Sequence, residues 1–276
     1  MYHYTVEQWL FFFYFYCFFG WCFESTYVSV KKGHFVNRGF MRGPFLPLYG
    51  SGAIMMLFIS KLFGGHLVLT FFAGCIGATA LEYVTGVAME SLFKVRYWDY
   101  SNQKFNFQGQ ICLGSSLAWG ALTIFMTEIL HKPVERFVLS IPSLILRVIT
   151  FGLTCYVVSD FIFAFKAALD LKDILLRIEK VKEELKHLQK RLDVVIAFTE
   201  NDIEEKRQEK ELAKELRAAE LRAVIEEHVN TLKELKEKNK YRISMMRGNP
   251  GMVSRRFKDT LEELKTNYFN KNEENK

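Results

Sequence analysis

Leu67-Val-Leu-Thr-Phe-Phe-Ala-Gly-Cys-Ile-Gly-Ala-Thr-Ala-Leu-Glu-Tyr-Val-Thr-Gly-Val-Ala-Met-Glu-Ser-Leu-Phe93 decides the fold. Two glutamates are its only charges, and a helix needs about 20 mostly apolar residues to cross a bilayer. The stretch therefore reads as a membrane span. Working outward, similar apolar runs cover residues 8–30, 46–63, 111–130 and 137–165, so the sequence predicts five spans within residues 1–165. Residues 166–246 are rich in Lys, Arg and Glu with helical spacing, and residues 247–276 add a break and a short amphipathic helix. The predicted fold is all-α: a five-span transmembrane helical bundle carrying a cytoplasmic coiled-coil tail.

The chain holds 37 Lys and Arg against 31 Asp and Glu, and the small excess is shared by both halves. No basic stripe or recognition motif accompanies it, which argues against nucleic acid as a partner. Leu10-Phe-Phe-Phe-Tyr-Phe-Tyr-Cys-Phe-Phe19 lacks a basic segment before it and a small-residue cleavage site after it, so it reads as a retained first span. The five cysteines and six histidines, His131 among them, show no metal-ligand spacing; the reading is no metal, no cofactor and small apolar thiols.

Orientation comes from the connections. The first and third carry Lys31, Lys32, Arg38, Arg42, Lys94, Arg96 and Lys104, and the second and fourth only Lys61, Lys132 and Arg136. By the positive-inside rule the amino terminus lies outside and the tail in the cytoplasm, in a cell membrane.

Ionisable residues within apolar runs cost at least about 2.5 kcal/mol each and face a partner, a cavity or the interface. Here they are Glu24, Glu82, Glu90 and Asp160, with Arg147 as a basic counterpart. In the third run Gly74, Ala78, Glu82, Gly86 and Glu90 recur every four residues, placing small side chains and carboxylates along one slowly winding stripe. Glu82 fits either a polar pathway or interhelical hydrogen bonding; Glu90 lies near the end of its span and fits an interfacial position.

Two connections carry unusual chemistry. Asn37-Arg-Gly-Phe-Met-Arg-Gly-Pro-Phe-Leu-Pro-Leu-Tyr-Gly50 combines turn-forming residues with the guanidinium donors of Arg38 and Arg42. Arg96-Tyr-Trp-Asp-Tyr100 adds Trp98 and Asp99, and Asn106 to Leu113 adds amides. Both reach the cytoplasmic boundary in this topology. The candidate polar pathway or cup is therefore Glu24, Arg38, Arg42, Glu82, Glu90, Arg96, Trp98 and Asp99. The alternative is that the arginines bind lipid phosphates while the aromatics form an interfacial belt.

Gly20-Trp21-x-x-Glu24, Asn37-Arg-Gly-Phe40, Gly43-Pro-x-x-Pro-x-Tyr-Gly50, Leu81-Glu-Tyr-x-Thr-Gly86, Trp98-Asp-Tyr-Ser101 and Gly109-x-Ile-Cys-Leu113 together resemble the ABC-transporter type IV family of bacterial membrane proteins, over residues 8–165. The resemblance implies a transport-related, permease-like component and puts weight on Glu24, Arg38, Glu82, Trp98 and Asp99. It supplies no substrate and no catalytic residues. The sequence has no Gly-x-x-x-x-Gly-Lys-Ser/Thr loop, so ATP hydrolysis would fall to a separate ATPase subunit.

In the tail, Ile174, Ile178, Val181, Leu185, Leu188, Leu192 and Val195 alternate steps of four and three, the signature of a coiled-coil seam. The phase is lost at Phe198-Thr-Glu-Asn-Asp202, and a looser pattern resumes through Leu212, Leu216, Leu221, Ile225, Leu232 and Leu235. A hairpin and one interrupted helix both fit. After Arg247-Gly-Asn-Pro-Gly251, Phe257, Leu261, Leu264 and Tyr268 predict a last helix with Ser254 as its N-cap. No catalytic constellation is visible. Besides transport, the sequence fits a membrane-anchored scaffold or sensor whose coiled coil self-associates or recruits a protein partner, with the lipid bilayer as the common surroundings.

Overall fold

The computed structural model describes residues 4–63, 65–197, 207–238, 246 and 248–270. It divides the chain into two compact units, Met1–Leu169 with Met245–Arg255, and Asp170–Ser244 with Arg256–Lys276.

In the first unit, α1 (Val6–Lys32) opens with a capping box. The Gln8 amide N–H donates to Thr5 Oγ1 and the Thr5 N–H to Gln8 Oε1, so two of the end's orphan donors are satisfied. Gly33, at φ 71°, closes it in the left-handed conformation that a side chain disfavours. Helices α2 (Pro47–Phe63) and α3 (Leu67–Phe93) follow, then a two-stranded antiparallel hairpin, β1 (Asn106–Phe107) and β2 (Ile111–Cys112). This hairpin is a small exception to the all-α expectation. Next come α4 (Leu113–Phe125), a π turn at Met126–Leu130, α5 (His131–Ser140) and α6 (Ser143–Ala197), which runs on into the second unit.

Among the described residues, three helical stretches are long and apolar enough to cross a bilayer: Leu67–Phe93, Leu113–Ser140 and Ser143–Val195. The expectation of five is thereby corrected to three. Helix α1 is long enough, but its tyrosines, tryptophans, Gln8 and Glu24 dilute its hydropathy; α2, at 17 residues, falls short of the required length. The expected connection between residues 130 and 137 is also absent, because α4, the π turn and α5 are continuous. Pro133 explains the irregularity: it cannot donate to the carbonyl four residues back, and just before it the His131 N–H reaches Met126 O instead. Exposed apolar side chains such as Val68, Phe72, Ile76 and Val84 on α3, and Leu144, Val148, Phe151 and Phe163 on α6, form surface suited to lipid tails.

The stripe on α3 is the packed face. Gly74, Ala78, Glu82 and Gly86 are buried. A Cβ on Gly74 would stand 2.3 Å from Thr123 Oγ1, and one on Gly120 would stand 2.4 Å from Cys75 Sγ, so small residues on both α3 and α4 set their close approach. The bundle core gathers Phe12, Tyr16, Met56, Leu57, Ala78, Met126 and Val138.

The second unit contains the rest of α6, α7 (Arg207–Lys238) and α8 (Lys258–Asn270). Of the seam, Ile174 and Ile178 are buried and Val181, Leu185, Leu188, Leu192 and Val195 half-buried, between exposed charged neighbours. On α7, Leu221, Ile225, Leu232 and Leu235 are half-buried whereas Leu212 and Leu216 are exposed. Within this unit, Lys182 of α6 and Lys236 of α7 both pair with Glu263 of α8, at 2.5 and 2.6 Å. His228 of α7 lies 3.5 Å from Glu184 of α6. Phe257, Leu261 and Leu264 are buried. Ser254 does not cap α8, which begins four residues later; its hydroxyl donates to Lys94 O instead. The expected loss of phase at 198–202, Arg247 and the Tyr268 side chain lie outside the described residues.

Candidate functional site

The first and third connections meet at one end of the first unit, and the loops that hold them explain how. Trp21 Nε1 donates to Asn37 Oδ1 at 2.6 Å, and Asn37 Nδ2 donates to Arg42 O at 2.6 Å, which folds the first connection back on α1. The Arg38 N–H donates to Ser25 Oγ. Arg38 then lies 3.8 Å from Glu24 and donates through Nη2 to Tyr97 O at 3.4 Å, linking the first connection to the third. Glu24 also accepts from the Tyr49 hydroxyl at 2.6 Å. The Arg42 side chain is exposed at the rim.

The third connection is organised by Arg96, which is 3% exposed. Its Nε stands 2.8 Å from Glu90 Oε2 and its Nη1 3.5 Å from Asp99 Oδ1. Asp99 Oδ1 accepts from the Ser101 N–H and hydroxyl, a local turn of the kind aspartate makes. Gln110 Nε2 donates to Glu90 at 2.6 Å, and Trp98 Nε1 donates to Gln110 O at 2.9 Å. Gly109 is required twice over: its φ is 71°, and a Cβ there would collide with Ser101, Asp99 and Arg96.

Glu82 lies deeper, 4% exposed, where α3 faces α4. Its carboxylate accepts from the Tyr100 hydroxyl at 3.0 Å, the Ser115 hydroxyl at 3.3 Å and Trp119 Nε1 at 3.0 Å. Among the described residues no lysine or arginine pairs with it. Burial, and then the Glu82 charge, push the Tyr100 hydroxyl well above the usual tyrosine range, so it stays protonated and keeps donating.

A segment that sequence patterning missed seals this end. Asn249 Oδ1 accepts from Arg38 Nη1 at 3.0 Å and its Nδ2 donates to Gly39 O at 2.8 Å. Val253 and Arg96 exchange backbone hydrogen bonds at 2.7 and 3.0 Å. Arg255 donates to Gln108 O and lies 3.9 Å from Glu90. Residues 248–255 thus form a strap across the two connections.

The geometry brings together, at one end of an apolar bundle, the motif residues Glu24, Arg38, Glu82, Trp98 and Asp99. A family model for the ABC-transporter type IV family matches residues 11–165, more than half of the chain. The chain belongs to that family. The match ends within the apolar part of α6, so this family member carries the strap and the second unit outside the matched region. No curated protein and no solved structure matches the chain.

Of the eight site residues expected from sequence, Glu24, Arg38, Glu90, Arg96 and Asp99 join in ion pairs, Glu82 and Trp98 connect through neutral donors and acceptors, and Arg42 stands at the edge. Tyr49, Tyr100, Gln110, Ser115 and Trp119 complete the cluster without having been singled out. Trp119, Ser115 and Glu82 carry a retrievable signal: polar groups within two adjoining apolar runs that need each other's hydrogen bonds. Among the described residues, no three His, Cys, Asp or Glu side chains are placed to hold a metal.

Proposed function

We propose that the chain is the permease-like component of a transport system, with the cup at Glu24, Glu82 and Glu90 as its solute site and a separate ATPase subunit as its energy source. Glu82 carries this reading. Its carboxylate sits in a membrane-spanning helix, held by Tyr100, Ser115 and Trp119, while the neighbouring Glu24 and Glu90 have arginine partners. A carboxylate kept at membrane depth without a counter-charge is poised to receive one. Trp119 and Tyr100 beside it, with Tyr49 edge-on to Trp119 at 6.1 Å, supply aromatic surface for a small cationic or amine solute, because aromatic faces attract cations. The amino terminus is outside and the tail cytoplasmic; the loop charges support this, and so does the strap, which reaches the same end as both basic connections.

The test uses inverted membrane vesicles from cells making the full chain or Glu82→Gln at matched levels, given ATP and a panel of radiolabelled amines and alkali cations. The expected result is ATP-dependent uptake of at least one solute, reduced about tenfold or more by the substitution, as for loss of about 1.4 kcal/mol or more of binding. A P-loop ATPase should also co-purify at fixed stoichiometry. No uptake difference and no such subunit would overturn the transport reading.

A scaffold or sensor reading is favoured by one observation: Leu212 and Leu216 are exposed on α7, beyond the half-buried seam. In this reading they extend a coiled coil to a second copy or a protein partner. Loss of self-association by Leu212→Asp with Leu216→Asp in the detergent-solubilised chain, read by analytical ultracentrifugation, is its expected result.

A further inference from the structure

A second buried polar cluster lies away from the cup. His131 follows Trp119 by twelve residues along the same helical run, about 18 Å at about 1.5 Å per residue. It is 1% exposed, wrapped by Phe12 at a ring distance of 4.9 Å and by two tyrosines. The Tyr16 hydroxyl is 2.9 Å from Nδ1 and the Tyr4 hydroxyl 3.2 Å from Nε2. Tyr4 also donates to Glu135, one helical turn beyond His131.

The proton count of these groups fixes the direction of each bond. A hydroxyl has one proton to give. Tyr4 gives its proton to Glu135, so it must accept from His131 Nε2–H. The imidazole is then the Nε2–H tautomer, and its Nδ1 accepts from the Tyr16 hydroxyl. All three hydrogen bonds point one way, from Tyr16 through His131 and Tyr4 to Glu135. The cluster as drawn bears one negative charge, on Glu135. One added proton on Nδ1 forms an N–H bond and breaks none, with the Tyr16 oxygen turning from donor to acceptor. The imidazolium and the Glu135 carboxylate, bridged by Tyr4, then sum to zero charge.

We propose that Tyr4, Tyr16, His131 and Glu135 form a site that binds one proton within the membrane domain, separate from the cup. The π turn made by Pro133 ends at Leu130 and sets the backbone directly before His131. Among the described residues, Arg136 follows Glu135 in the chain and is exposed. Glu7 pairs with Arg147 at 3.3 Å and Glu128 with Lys132 at 3.0 Å, while Lys61 ends α2 and His66 precedes α3.

The experiment is a pH titration of the full chain in lipid nanodiscs with 15N-labelled histidine, the His131 signal being assigned by its loss in His131→Gln. At alkaline pH the signal should be that of the Nε2–H tautomer. On acidification it should gain a second proton in one step while the other cores of the bundle stay intact, as judged by unchanged circular dichroism. At about pH 6, within the range where histidine titrates, Glu135→Gln should lower the doubly protonated share at least about threefold by removing the balancing charge. Glu135→Asp, which keeps the charge, should restore it and guards against misfolding of the first variant. The opposite tautomer, or a His131 that stays neutral wherever the chain is folded, would make the cluster a fixed hydrogen-bond clamp and overturn the proposal.

Discussion

Glu82 is held by three donors, and two of them, the Tyr100 hydroxyl and Trp119 Nε1, would be stranded without it. Removing the acceptor from a buried donor costs about 1–3 kcal/mol, and Tyr100 and Trp119 both lose theirs in Glu82→Ala. The expected loss of stability is at least about 2 kcal/mol, seen as a lower unfolding midpoint in detergent. Glu82→Gln keeps one acceptor oxygen and should lose about half as much. Equal midpoints for wild type and Glu82→Ala would mean that water replaces the carboxylate. Arg96 gives a second case. It is nearly inaccessible, its Nε lies 2.8 Å from Glu90, and Glu90 is partly exposed. Breaking a buried ion pair from one side costs about 3–5 kcal/mol, so Arg96→Met should lie near the low end of that range. Arg96→Met combined with Glu90→Leu should recover part of the loss, because the Glu90 carboxylate is then no longer left without its closest cation; a double variant worse than the single one would refute this account.

At the scale of elements, the α3 stripe was readable because Gly74, Ala78, Glu82 and Gly86 follow helical spacing, and spacing is what a sequence displays directly. The run from His131 to Arg136 reads as a connection because its charges resemble a loop, whereas the helix continues through them with a π turn to accommodate Pro133. The His131 cluster escaped notice for another reason. Metal-ligand spacing looks for a neighbouring histidine, but Tyr16 and Tyr4 are 115 and 127 positions away. The strap is similar: Asn249 meets Arg38 across 211 positions, in a segment with no periodicity. Its backbone pairing nevertheless makes a sharp prediction. Val253→Pro cannot donate to Arg96 O, and its ring disfavours the preceding residue's N–H geometry, so the strap should release. A cysteine placed at the buried Met252 should then react with a maleimide at least about tenfold faster than in the unaltered strap, as for a shift of about 1.4 kcal/mol toward the open form. An unchanged rate would show that the side chains of Asn249 and Ser254 hold the strap without the bridge.

At the scale of the whole molecule, α6 belongs to both units because nothing in its sequence stops it: no Gly or Pro occurs from Leu153 to Ala197, and apolar residues give way to charged ones without a break in helical propensity. The alternation of fours and threes made the less exposed side of its later part legible, buried at Ile174 and Ile178 and half-buried from Val181 to Val195. What that side packs with was not, since the pattern fits an intramolecular partner, a second copy or another protein equally. The ion pairs supply a local answer within the second unit, where Glu263 of α8 receives Lys182 from α6 and Lys236 from α7. Burial works against the Glu263 charge, but the hydrogen bonds and charges of the two lysines outweigh it and hold the carboxyl below its ordinary value of 4.5. A carboxyl lowered on folding contributes stability that is fully present above its unfolded value and is lost as pH falls through the folded one. The hold of Glu263 on α8 should therefore weaken as pH drops below 4.5. Hydrogen exchange of α8 in the full chain reads this directly: faster exchange in acid for wild type, and a flat, already faster profile for Glu263→Gln. A wild-type profile that is flat across the same range would mean that Lys182 and Lys236 contribute nothing to holding α8, and that the apolar residues Phe257, Leu261 and Leu264 keep it in place alone.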